Sequence, residues 1–192
     1  MFKDLVIANR SVRGFDPAQK VKKEELIEMA DCARLSASSA NIQPLKYYIA
    51  CDDESVGILR NNVKYGKMHP EWGLPLPGTE APAFICICHD LSVSPNEAAF
   101  LKDVGIAAQS ITLCAAEMGY GACMIGNYVP EKVEKELGLS ENLKVKLIIA
   151  VGKSVENISI VEIDKDGDTV YYRDEEGKHY VPKRKLEDVI IC

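Results

Sequence analysis

Residues 96–126 read NEAAFLKDVGIAAQSITLCAAEMGYGACMIG, and this stretch decides the fold class. Val104, Ala107, Ala108, Ile111, Cys114 and Ala115 recur at helical spacing and form a wide face of mostly small apolar side chains. With Asn96 as N-cap, the pattern predicts a helix over 96–118. Small side chains let a neighbouring helix approach closely, so this is the candidate helix for the centre of the molecule or of a dimer. Directly after it, Gly119, Gly121 and Gly126 punctuate an extended run over 121–128. The run is not a nucleotide loop. A Rossmann turn needs its third glycine sooner and a strand before it, and a P-loop needs Lys and Ser or Thr where Asn127 and Tyr128 stand. Two readings are open: a glycine-rich turn into a buried strand, or a backbone that a flat ligand can approach closely.

Working outward, helical spacing covers 2–9, 22–35, 54–62 and 130–137, the last with Pro130 at its start and Gly138 past its end. Apolar runs over 47–51, 84–88 and 145–151 read as strands. Residues 65–80 hold Trp72, Gly73, Pro75, Pro77 and Gly78 with little periodicity and read as a mobile lid. Near the C-terminus, 158–163 and 169–172 flank Asp166-Gly167, which predicts a hairpin, with a further turn at Glu176-Gly177. No repeat or linker stands out, so a single domain over 1–192 of the α+β class is expected.

At 192 residues with 47% hydrophobic and 27% charged side chains, the chain can bury a core without staples, which excludes disordered and fibrous classes. No uninterrupted apolar run suggests a membrane span, and the first residues carry no secretory pattern. A formal net charge of −6 argues against a nucleic-acid binder. Two short basic segments stand against the acidic background: Lys3, Arg10 and Arg13 at the front, and Lys178, Lys183, Arg184 and Lys185 at the back. Together they suit a small anion. The seven cysteines are odd in number and lack a C-x-x-C, and the three histidines are scattered. They read as reduced core thiols of a cytoplasmic protein, with no metal site.

No hydrolase motif is present. Arg10-Ser11-Val12-Arg13 instead offers two guanidinium forks around a hydroxyl, a donor set that matches phosphate oxygens. Ser38-Ser39-Ala40-Asn41-Ile42-Gln43-Pro44 adds hydroxyl and amide groups that suit the edge of a polar heterocycle. Taken in order, Arg10-Ser11-x-Arg13, Ser38-x-x-Asn41-x-Gln43-Pro44, the Ala-rich helix running into Gly119-x-Gly121-Ala-Cys-x-Ile125-Gly126, and Lys183-Arg184-Lys185-Leu-Glu resemble the nitroreductase superfamily of FMN-dependent oxidoreductases. The resemblance covers 9–191.

The resemblance implies an α+β homodimer, with a mixed central sheet wrapped by helices, a long helix in the dimer core and FMN at the subunit interface. In this chain it adds a C-terminal hairpin extension. By position, Arg10, Ser11, Lys183 and Arg184 would hold the FMN phosphate, and Arg13 would face the ribityl chain and the pyrimidine edge of the ring. Ser38, Ser39, Asn41 and Gln43 would come from the partner subunit. Ile125 and Gly126 would present backbone N–H groups to the ring, and Asn61 and Lys64 match an Asn-x-x-Lys pair near it. Asn9 stands where many members have Arg, Ser39-Ala40 replaces a common Ala-Gly, and Gly152-Lys153-Ser154 replaces Gly-Tyr-Pro. The implied activity is hydride transfer from NAD(P)H to the flavin and then to an electron-poor acceptor such as a nitroaromatic or quinone. A non-enzymatic flavin-binding protein, or a member with divergent chemistry (flavin fragmentation, dehalogenation, heterocycle oxidation), is the alternative. No catalytic side chain is singled out.

Overall fold

A computed structural model describes residues 1–191. By contact the chain divides into two compact units, Met1–Ser154 and Val155–Cys192.

The first unit is built on a four-stranded sheet. Its strands are β1 (Leu45–Ala50), β2 (Ala83–Asp90), β3 (Gly121–Ile125) and β4 (Leu143–Gly152), in the order β1-β2-β4-β3. Every neighbouring pair is antiparallel, which corrects the mixed sheet expected. β2 and β3 run the same way but are separated by β4. The crossover between them is the long helix, α4 (Leu101–Glu117), preceded by a short 3-10 turn over Glu97–Phe100 that Asn96 caps by accepting from the Ala99 N–H. In the first unit, the parallel pairing among the described residues is the single bridge Ser11–Ala122.

Every residue of β2 is buried, as a strand covered on both faces must be. On one face Ala83, Ile85, Ile87, Ile149, Val151 and Ala122 pack with Leu26, Met29 and Ala33 of α2 (Lys23–Arg34) and with Val104, Ala107, Ala108, Ile111 and Ala115 of α4. The other face is covered by α3 (Asp53–Asn62) and α5 (Pro130–Glu136) through Val56, Leu59 and Val133. The apolar face read in 96–118 is therefore spent inside the chain: Ala108 is fully buried. What α4 leaves exposed is the opposite side, with Leu101, Gly105 and Ile106. The span Glu97–Glu117 is long and apolar enough to cross a membrane by composition alone, but half of it is buried within the fold. The short helix α1 (Phe2–Ala8) buries none of its residues.

The second unit holds β5 (Ile158–Ile163), β6 (Tyr172–Arg173) and β7 (His179–Arg184), in the order β5-β7-β6. β5 pairs with β7 in parallel, and β6 with β7 antiparallel. This corrects the hairpin expected at Asp166-Gly167. That dipeptide does turn, with the Gly167 N–H donating to the Asp164 carbonyl, but the chain leaving it does not return along β5. The hairpin forms instead between β6 and β7, where Gly177 has a positive φ and Asp174 accepts from the backbone N–H groups of Glu176 and Lys178.

Candidate functional site

The three glycines after α4 have three separate physical reasons. Gly119, φ +74°, closes the helix: its N–H donates to the Ala116 carbonyl, and that of Tyr120 to Ala115, a Schellman ending that favours glycine. Lys153 Nζ bonds the Gly119 carbonyl at 2.8 Å, placing a cation at the negative end of the helix.

Gly121 is a close approach. A Cβ there would lie 2.6 Å from Val12 Cγ2. Without it, the N-terminal segment lies flat along β3: Ser11 bridges Ala122 and the Val12 N–H donates to the Ala122 carbonyl at 2.9 Å. The same device recurs opposite, where Gly121 pairs with Gly152 across the sheet. A Cβ on Gly152 would meet Pro82 at 2.6 Å and Phe15 at 3.0 Å.

Gly126 is different again. A Cβ there would meet nothing within 4 Å, so the space above it is open. The turn beyond is tied to α3's end by the Lys64 N–H, which donates to the Asn127 carbonyl at 3.0 Å. The structure thus brings Arg10 and Ser11, Ile125 and Gly126, and Lys64 to one strand. Asn61 lies exposed in the last turn of α3. From Ala122 to Gly126 the backbone advances about 14 Å at about 3.4 Å per residue, room for an elongated ligand.

The Arg10 guanidinium is held against α1, one residue before the Ser11 bridge, with a donor left unpaired. Nη2 donates to the Val6 carbonyl at 2.6 Å, while Nε is buried with no hydrogen-bond partner. Burial pushes its pKa down from the usual arginine value. A desolvated guanidinium with a donor left over is the expected state of a residue built to meet an anion. Arg13 Nη1 reaches back to the Ser11 carbonyl at 3.2 Å.

The Ser38–Gln43 loop is organised from α4. Asp103 accepts from Ser38 Oγ at 2.7 Å, from the Ser39 N–H at 2.9 Å and from Ser39 Oγ at 2.7 Å. Ser38 Oγ accepts from the Gln43 N–H at 3.1 Å, and Gln43 Nε2 donates to the Asn41 carbonyl. Ala40, Asn41 and Gln43 all have positive φ, at 49°, 56° and 56°. Such strain in non-glycine residues clusters at functional sites. The two serine hydroxyls expected to be ligand donors are thus engaged by Asp103, a residue that no sequence motif marks. Its signal was a lone acid one helical turn before Ala107 on the apolar face.

Beneath this loop lies a cavity of about 530 Å³, bounded by α2, β1 and α4 and reached by Tyr47, Gln43 and Asp103. Lys183 and Arg184 lie exposed at the end of β7 in the second unit, where Arg184 bonds the Lys165 carbonyl. The 65–80 segment is locally folded: Pro70–Trp72 form a 3-10 turn on which the His69 and Trp72 rings stack at 4.3 Å.

The sequence profile of the nitroreductase family matches residues 7–153. A Bacillus subtilis protein named as an NAD(P)H nitroreductase, YodC, is 24% identical over 189 residues, covering 79% of this chain and 89% of its own. Protein DrgA of Synechocystis is 23% identical over 186 residues, covering 80% and 84%. Among solved structures, a nitroreductase family protein from Streptococcus pneumoniae superposes with a TM-score of 0.68 at 17% identity, covering 82% of this chain and 92% of its own. A nitroreductase-type protein in complex with FMN from Exiguobacterium sibiricum gives 0.66 at 20%, covering 81% and 89%. With its profile matched over most of its length, and with the α+β architecture of those structures, this chain belongs to the nitroreductase family.

Proposed function

We propose that this chain is an FMN-dependent oxidoreductase that takes a hydride from NAD(P)H and passes electrons to an electron-poor acceptor such as a nitroaromatic or quinone, the two substrates alternating at one site. The observation that carries the reading is the buried Arg10 Nε, without a hydrogen-bond partner, at a position where the family resemblance calls for a phosphate ligand. The open space at Gly126 and the strained Ser38–Gln43 loop support the same reading. So do the relatives named for NAD(P)H and the FMN complex among the structural neighbours.

The residues present fit FMN. Arg10 and Ser11 would take the phosphate. Arg13 would set positive charge toward the ring's pyrimidine edge, and Lys64 with Asn61 would add donors there. Ile125 and Gly126 would offer backbone N–H groups, with no side chain at 126 to hold a planar ring away. When bound, FMN would supply the redox chemistry itself, and the protein's part is binding, orientation and electrostatics. Positive charge held beside the ring favours whichever redox state carries more negative charge.

Dimerisation belongs to the same proposal. α1 and α4 are joined by the Asn9–Thr112 hydrogen bond at 2.9 Å, and they leave Phe2, Ile7, Leu101 and Ile106 exposed. These are an apolar surface for a second copy, whose Ser38, Ser39, Asn41 and Gln43 would complete the cofactor site. The cysteines described are all free thiols, which suits a reducing cytoplasm.

The deciding experiment is a visible spectrum of the purified protein, followed by rapid mixing with NADH and NADPH. One FMN per chain, bleached by either nicotinamide and restored by a quinone, is the expected result. A colourless chain that no FMN reconstitutes refutes the cofactor reading. A yellow protein that neither nicotinamide bleaches is a binding protein instead. Light scattering at the monomer mass with FMN retained refutes the dimer.

A further inference from the structure

The Ser38–Gln43 loop raises the question of what holds its backbone where it is. Ala40, Asn41, Ile42 and Gln43 are exposed, so no packing from within the chain forces them into shape. Yet three of the four have positive φ, which for Ala and Gln is an unfavourable conformation that relaxes unless something fixes it. The fixing contacts sit at the loop's entry. Asp103 is 3% exposed, and among the described residues its side chain lies in no ion pair. Its partners are instead three neutral donors, all from the dipeptide Ser38-Ser39. Ser38 then carries the constraint across the loop, because its Oγ accepts from the Gln43 N–H as it donates to Asp103. The carboxylate stands on the first turn of the longest helix in the chain, whose buried face is locked into the core. A rigid acceptor is thus linked through one hydroxyl to both ends of a strained turn.

We propose that Asp103 is a positioning residue of the cofactor site: its carboxylate holds the Ser38–Gln43 loop in the left-handed form in which Asn41 and Gln43 meet the flavin. The inference rests on the proposed FMN function for what the loop meets, but not for the anchoring itself. Removing the carboxylate leaves the two hydroxyls to water and the loop to relax toward ordinary backbone angles. Asp103→Asn keeps one acceptor oxygen and the side-chain shape, so it retains part of the anchor.

The test has two independent readouts. In the protein without added flavin, amide hydrogen exchange at Ser39 and Gln43 should accelerate about tenfold or more in Asp103→Ala and less in Asp103→Asn, with exchange in β2 and β4 unchanged. Titration with FMN should show affinity weaker by about tenfold or more in Asp103→Ala, the loss expected when charge-assisted hydrogen bonds organising a site are removed. The signature of positioning is rescue: Ala40→Gly, which makes the left-handed backbone free of steric cost, should recover part of the affinity in the Asp103→Ala background. A merely structural defect in α4 would not respond to Ala40→Gly. Should Asp103→Ala fail to fold, Ser38→Ala removes the same relay from the loop side, and should accelerate exchange at Gln43 and weaken FMN. Unchanged exchange at Ser39 and Gln43 overturns the anchor. Accelerated exchange with FMN affinity within twofold of wild type, or no rescue by Ala40→Gly, overturns its role in the site. Absence of FMN binding in the wild type defeats the proposed function instead, and the exchange measurement still decides the anchor.

Discussion

Gly121→Ala tests how the fold builds the site. The new Cβ would lie 2.6 Å from Val12 Cγ2, 3.0 Å from its Cβ and 3.1 Å from its Cγ1, where carbon atoms prefer about 3.5–4.0 Å. Val12 is 5% exposed and β-branched, so it has no alternative rotamer to retreat into. The segment must back away from β3 by roughly 1 Å, the shortfall from ordinary contact. Overpacking of this kind costs about 1–3 kcal/mol. Stretching the Val12 N–H···O=C Ala122 bond, 2.9 Å in the native chain, adds about 1 kcal/mol. Replacing glycine in a strand returns about 0.5–1 kcal/mol. The net expectation is about 1–3.5 kcal/mol of destabilisation, read as a lower urea midpoint at constant slope. FMN affinity should fall with it, because Arg10 and Ser11 move with Val12. Trimming the obstructing side chain in Val12→Ala/Gly121→Ala should cost at least about 1 kcal/mol less than the two single changes summed. A loss under about 0.5 kcal/mol in Gly121→Ala, or strict additivity in the double variant, would refute the close-approach argument.

Arg10→Gln should weaken FMN about ten- to a hundredfold in a fluorescence titration while leaving riboflavin affinity nearly unchanged; equal losses for both ligands would place Arg10 at the ring. Tyr65 has a buried hydroxyl without a partner, and burial pushes its pKa well up, so Tyr65→Phe should leave thermal stability unchanged or raise it by about 1 kcal/mol. A clear loss would mean that the hydroxyl binds something. Burial, then the nearby Glu134 charge, pushes Cys88 up to about 12, and burial, then the Cys32 thiol, does the same for Cys114. At pH 8 their thiolate fraction is on the order of 10⁻⁴, so a thiol reagent should reach them only after unfolding. Because these folded values exceed the unfolded one of about 8.5, their contribution to stability holds below about pH 8.5 and is lost as pH rises toward 12. Cys88 or Cys114 reacting in the native protein as fast as half-exposed Cys51 would contradict this.

What the sequence alone determined was whatever is written within a few residues. Helical spacing, Asn96 as a cap, Gly119 and Gly138 past helix ends, and the apolar run over 84–88 are local signals, and elements form there, although Asn96 caps a 3-10 turn over Glu97–Phe100 and the α-helix itself begins at Leu101. The candidate set beside β3 was legible for a similar reason: an Arg-rich tetrad and a glycine-rich turn are compositional signals in themselves. The tertiary structure decided the pairings. The apolar face of α4 could have met a second copy or its own sheet with equal chemical logic, and only the arrival of β2, β4 and α2 spent it inside the chain. The turn at Asp166-Gly167 is a sound local signal, but β5 took β7 as its parallel partner, and the hairpin moved to Gly177. The glycine-rich run over 119–126 leaves open a turn into a strand or a close approach of a ligand; at Gly121 the group that approaches is Val12, brought from the N-terminal segment. Asp103 stayed hidden because an acid on an apolar face has no local meaning. Its role exists only where the fold sets it against Ser38 and Ser39. A side chain's periodicity is a property of its neighbours in sequence, whereas its partner is chosen by long-range burial and hydrogen bonding, which no short window contains.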